Sequence, residues 1–194
     1  MKKRIHVYRV IRDPAFNFLE PVSEYDFLVE RSKTWKFDAS KDHHEDWVEL
    51  ELRPAPTGLP SPDIWEVVPG VIALEHAAYY ELCTSVEETQ EGYMHDAYCE
   101  GRELAIVNST YCVDALVKSQ SVFSADHSKI IKYVFDGTIL DMSLFKIPET
   151  KETELLALDG FDKDNDFKTF VELHGFTGVQ FEHLWSGESF MDDY

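Results

Sequence analysis

Three short stretches hold most of the side chains that could do chemistry. In "HDAYC", His95 and Cys99 stand four residues apart, with Cys112 further on. A cysteine attacks as its thiolate, which an adjacent imidazole can generate, so a hydrolase-like Cys–His pair is conceivable. No nucleophile signature surrounds either cysteine, and buried structural thiols are the expectation. "DHHED", Asp42 to Asp46, offers His43 and His44 as metal ligands or bases. Adjacent residues point to different sides, and no HExxH pattern or second histidine at ligand spacing follows, so a solvated loop before a strand is expected. "DKDND", Asp162 to Asp166, places oxygens at positions one, three and five of a calcium loop. Position six needs glycine for its sharp turn and is Phe167; position twelve needs a bidentate glutamate and is Leu173. Helix capping is the better expectation. In "LHGFTGVQFEHLW", His174 and His183 occupy different points of a helix-to-strand passage, and no Cys or Ser nucleophile with a matching base is apparent. The nine glycines form neither GxGxxG nor GxxxxGK[ST], so nothing cradles a nucleotide. No catalytic set, metal or cofactor is expected.

The elements that would carry these residues follow from periodicity. "RIHVYRVIR" (Arg4 to Arg12) alternates and reads as a strand ended by Pro14. "DWVELELRP" sets Val48, Leu50 and Leu52 against Glu49, Glu51 and Arg53, the pattern of a strand with one solvated face. Four of the eight prolines fall between Pro54 and Pro62, which predicts a surface loop and the best candidate boundary. "GVIAL" reads as a buried strand. "EHAAYYELCTSVEETQEG" after it reads as a helix, with Leu74, Ala78, Leu82 and Val86 on one stripe and Gly92 as its stop. "RELAIVN", "KIIKYVFDG" and "SLFKIP" read as strands, and "CVDALVKS" as a helical turn or two. In "DNDFKTFVELHG", Asp164 or Asn165 caps a helix whose face holds Phe167, Phe170, Val171 and His174, and Gly175 ends it. "GVQFEHLW" resumes as a strand. Strands mixed with helices, without regular βαβ spacing, imply α+β: a single domain with a mixed or antiparallel sheet and a few packed helices. Residues 1–60 form a strand-rich N-terminal part and 61–194 the remainder of one continuous domain.

Charge sets the outward character. Eighteen Lys and Arg face 37 Asp and Glu, a net charge of −19. Residues 1–36 balance at +3 and the rest at −22; no Lys or Arg follows Lys168. Such a field repels nucleic acid and anionic membranes and draws in basic partners, raising on-rates by roughly 10–10³-fold. Plain solubility is the competing reading. The aromatics are not interleaved with Lys and Arg, which disfavours a nucleic-acid platform. Cys83, Cys99 and Cys112 form no CxxC, so neither a disulfide framework nor a zinc ribbon is implied. His6, Arg9 and Arg12 interrupt the first apolar run, so no signal peptide is read there, and a reduced cytoplasmic setting is expected.

The second half carries a family resemblance. The order "ELAIVNSTYCVDALVKSQS", "YVFDGTILDMSLFKIP", "HGFTGVQFEHLW" resembles bacterial immunity proteins of polymorphic toxin systems. The positions that carry it are Asn108, Val113-Asp114-Ala115-Leu116 with Ser119 or Ser121, Leu144-Phe145-Lys146, Thr177-Gly178 and Phe181. The likeness runs from about Leu104 to Trp185, and more loosely takes in "LPSPDIW" before "GVIAL". The resemblance implies a cytoplasmic, non-catalytic protein that binds and neutralises a cognate toxin or effector encoded by an adjacent gene. Asp114 is then a helix cap or ion-pair residue, with recognition or base chemistry as the alternative. Motifs shared among proteins with different toxins should serve folding, so the interface belongs to acidic and aromatic side chains outside them. Candidates are Glu87, Glu88, Glu91, Asp162, Asp164, Asp192 and Asp193, with Trp185 as an aromatic anchor beside Trp47, Tyr93, Tyr98 and Phe190. A small hydrolase using His/Cys groups and an acidic nucleic-acid mimic are the alternative readings.

Overall fold

The computed structural model describes residues 2–22, 50–88, 92–109, 111–151, 153–161 and 166–190. In chain order the strands are β1 (Lys2–Arg12), β2 (Leu19–Pro21), β3 (Leu50–Pro54), β4 (Ile64–Val68), β5 (Val71–Glu75), β6 (Gly92–Cys99), β7 (Arg102–Ser109), β8 (Val122–Phe123), β9 (Ile130–Lys132), β10 (Leu144–Phe145), β11 (Leu156–Asp159) and β12 (Val179–Phe190). Helix α1 (His76–Glu88) follows β5, α2 (Phe167–His174) precedes β12, and a 3₁₀ turn spans Pro148–Thr150. The architecture is α+β with sheet dominant.

One sheet runs β10-β11-β1-β12 and is antiparallel throughout. The second runs β2-β3-β6-β7-β5-β4 and is mixed, because β3 pairs in parallel with β6. A separate hairpin joins β8 to β9. The Pro-rich stretch is a surface loop, exposed from Pro56 to Ser61, but it divides nothing. Strand β1, which lies before it, is hydrogen-bonded between β11 and β12, which lie after it. The described strands of residues 1–60, β1, β2 and β3, therefore share both large sheets with strands that follow the loop.

Three buried clusters fill the spaces these sheets define. The central one gathers Ile64, Ile72, Leu74 and Val107 from the second sheet, Leu144 and Ala157 from the first, Ala78 and Leu82 from α1, and Phe167 and Val171 from α2. An outer cluster holds the alternate residues of the first sheet, Ile5, Val7, Phe145, Leu156 and Leu158, with Tyr133 and Phe135. A third holds Leu52, Trp65, Ala73, Ala97, Cys99 and Ile106 from the other face of the second sheet. The sheets thus pack apolar residues on both faces near their centres, while β3 keeps one solvated face at Glu51 and Arg53, as its alternation predicts. Each fully buried Leu or Ile contributes about 1.5–3 kcal/mol by leaving water.

Several predicted elements differ from those observed. "CVDALVKS" is extended rather than helical, because neighbours occupy its backbone groups. Val113 N–H donates to Lys146 O, Val117 N–H to Val134 O, and Asp136 N–H to Ala115 O. Of the two structural roles expected for Asp114 the ion pair is the one observed: it is exposed, with Lys118 Nζ 3.5 Å from its carboxylate. Leu74 belongs to β5, so the apolar stripe of α1 starts at Ala78, and Gly92 opens β6. The N-cap of α2 is Asp166, whose buried carboxylate turns away to accept N–H bonds from Gly160 (2.7 Å) and Phe161 (3.1 Å). Gly175 ends α2 in the left-handed region at φ 68°, as its position predicts. His174 lies exposed rather than in the core, stacked on Phe170 and Phe176.

Candidate functional site

The densest group of chemistry-bearing side chains sits where β1 meets β12, and a bulge creates it. The two strands pair residue for residue until the register shifts: Val7 faces Trp185, Tyr8 faces His183, and Leu184 is the extra residue. Strict alternation would put residues three apart on opposite faces. The inserted residue sends Leu184 and Trp185 together onto the outer cluster and leaves His183 and Ser186 on the same face, beside His6 and Tyr8. There Ser186 Oγ lies 2.7 Å from His6 Nδ1 and 2.8 Å from His183 Nε2. The two rings are 6.0 Å apart, and Tyr8 touches both. A hydroxyl has one proton, so one imidazole accepts it while the other donates its own N–H to the oxygen. Ser186 also lines an open cleft of about 350 Å³ with Lys3, Arg4, Gly187 and Glu188.

A second cleft, also about 350 Å³, opens beside the β8–β9 hairpin and includes Arg9, His127, Lys129, Glu149 and Glu154 in its lining. Arg9 is its hub. Its guanidinium reaches Glu182 at 2.7 Å, the Tyr133 hydroxyl at 2.7 Å and Glu154 at 3.2 Å. Tyr133 donates in turn to Glu154 Oε2 at 2.8 Å. Burial and that carboxylate push the Tyr133 phenol up to about 12. Burial works against the Arg9 charge, yet Glu154, Tyr133 and Glu182 raise its pKa overall. Glu149 is held by Lys118 at 2.8 Å, and among the described residues its other oxygen and Arg9 Nε are buried without a hydrogen-bond partner. Matched charges already engaged with one another suit this cleft to rigidity and polar contact rather than proton transfer.

The alternative Cys–His pair does not assemble, and Cys99 is a buried thiol as expected. His95 and Cys99 lie on one face of β6, but four residues along a strand separate them by roughly 13 Å. Cys99 is fully buried, and burial raises its pKa, which disfavours the reactive thiolate. His43, His44 and Trp47 lie outside the described residues, as do Glu91, Asp162, Asp164, Asp192 and Asp193. Glu87 and Glu88 close α1 and Tyr93 and Phe190 lie on strands, but the described side chains do not include theirs. Tyr98 is half-buried on β6. Trp185 is half-buried too, its ring edge-on to Phe135 at 5.9 Å, so most of its apolar surface already serves the core.

Among the described residues, no three His, Cys, Asp or Glu side chains are grouped to hold a metal ion, and no helix is long and apolar enough to cross a membrane. No protein-family model matches the chain, and no curated protein sequence does.

Proposed function

We propose that this protein is an immunity-type partner that binds and neutralises a cognate bacterial toxin or effector domain through an acidic surface. Neutralisation of this kind needs occupancy of the toxin, not turnover. The observation that carries the reading is the net charge of −19, all of it set after residue 36, since residues 1–36 balance at +3. A field of that sign accelerates capture of a basic enzyme and pairs with its cationic surface.

The positions behind the resemblance support the same division of labour. Ala115, Leu116, Leu144, Phe145 and Lys146 are buried, as is Asn108. Ser121 Oγ donates to Val134 O and accepts its N–H, clipping the strand-like segments together. Thr177 clips the loop before β4: its N–H and hydroxyl both donate to Asp63 Oδ2, at 2.8 and 2.7 Å. Residues that hold the scaffold are free of partner specificity, which leaves the acidic exterior to differ between partners.

Co-expression with the toxin encoded beside this gene tests the reading. The chain restores growth, co-purifies with the toxin, and loses on-rate steeply as salt rises. Continued poisoning, with no complex at micromolar concentration, would overturn it.

A further inference from the structure

We propose that Ser186 is a nucleophile: its hydroxyl, held between His6 and His183, accepts an acyl group from a small ester that carries a negative charge. This activity is separate from toxin binding and needs no partner.

Three observations carry it. Two imidazole nitrogens converge on one Oγ at 2.7 and 2.8 Å, the distance from which a base removes a hydroxyl proton. Whichever ring takes that proton, the other must offer N–H to the same oxygen and so stabilises the alkoxide as it forms. Secondly, the arrangement is built into rigid backbone. His6 and Ser186 are direct cross-strand partners, and the bulge that brings His183 onto their face is locked by ladder pairing on both sides. Bulges of this kind often re-aim a side chain next to an active site. Thirdly, Ser186 opens into a cleft lined by Lys3, Arg4, Gly187 and Glu188, in which two cations outnumber one carboxylate and Lys3 Nζ also donates to Phe161 O at 3.1 Å. The two cations stand in a chain of net charge −19. They fit a substrate bearing a carboxylate and favour the negative charge that develops on the carbonyl oxygen during attack.

The step balances without a further reactant. Ser186 Oγ bonds to the carbonyl carbon as its proton passes to the accepting imidazole. The bond from that carbon to the leaving oxygen breaks, and the proton goes to the departing oxygen. Water, deprotonated by the same imidazole, then releases the acyl group as the free acid and restores the serine.

The probes are p-nitrophenyl acetate and mono-p-nitrophenyl succinate, mixed with the full chain. The expected result is one acyl adduct per chain, mapped by mass spectrometry to Ser186. A burst of p-nitrophenol should accompany it, several-fold faster for the succinate ester. Ser186→Ala removes the adduct, and His6→Gln slows its formation roughly 10²-fold, with circular dichroism checking that both variants fold. Lys3→Ala with Arg4→Ala abolishes the preference for the charged ester and slows acetylation by p-nitrophenyl acetate by a smaller factor than it slows succinylation; an unchanged preference overturns the role given to the two cations. Absence of an adduct on the unaltered chain overturns the proposal, as does labelling that persists in Ser186→Ala or maps to lysine or cysteine.

Discussion

Lys146 Nζ lies 3.0 Å from Asn108 Oδ1, and neither side chain is exposed to solvent. The pair joins β7 to the residue that follows β10, and so ties the second sheet to the first. A cation with no route to water depends on acceptors supplied by the fold. Asn108→Ala should therefore destabilise the protein by about 1.5–3 kcal/mol, the worth of a hydrogen bond to a charged group. Denaturant unfolding reads this as a lowered midpoint. Lys146→Met keeps the volume and removes the charge, so the double variant should lose less than the two single losses combined.

Tyr133 makes stability depend on alkaline pH. Its phenol is raised from 10.0 to about 12, so the folded protein keeps the proton that the unfolded chain gives up first. The contribution is complete below pH 10 and is lost as pH rises towards 12. Thermal melts of the unaltered protein should fall across that window, and Tyr133→Phe should fall less steeply. At neutral pH the same variant should cost about 1.5–3 kcal/mol, because Arg9 loses an acceptor.

Gly178 has φ 105°, and a Cβ there would stand 2.0 Å from Ile64 O. Backbone strain and overlap act together, so Gly178→Ala should cost about 3 kcal/mol or more. Gly175 is the internal control. It is also left-handed, at φ 68°, but an added Cβ would meet nothing within 4 Å. Gly175→Ala should therefore cost only about 1–2 kcal/mol. Equal losses in calorimetry would contradict the role given to the Ile64 carbonyl.

Much of the scaffold could be read from residue order. The alternation of β1 and β3, the glycine stop of α2 and the charge distribution all express local chemistry. Other elements are set by partners distant in sequence. "CVDALVKS" has a passable helical pattern, but Lys146 and Val134 claim its backbone from 33 and 17 residues away. "GYMHDAYC" shows no strand alternation and becomes β6 through its eight-residue pairing with β7. "LLALD" is a short apolar run that periodicity cannot assign, and it becomes β11 beside β1. The serine site was hidden for a related reason. His6 and Ser186 are 180 positions apart, and alternation assigns His183 and Ser186 to opposite faces. The one local hint is the apolar pair Leu184-Trp185 in a strand that otherwise alternates, which marks the bulge.

The position of β1 between β11 and β12 has a consequence for biosynthesis. The antiparallel partners of β1 are made only after more than 140 further residues. Until then the backbone of β1 lacks both of its ladder partners. Closure of the first sheet is therefore slow relative to the second, whose pairings join strands much nearer in sequence.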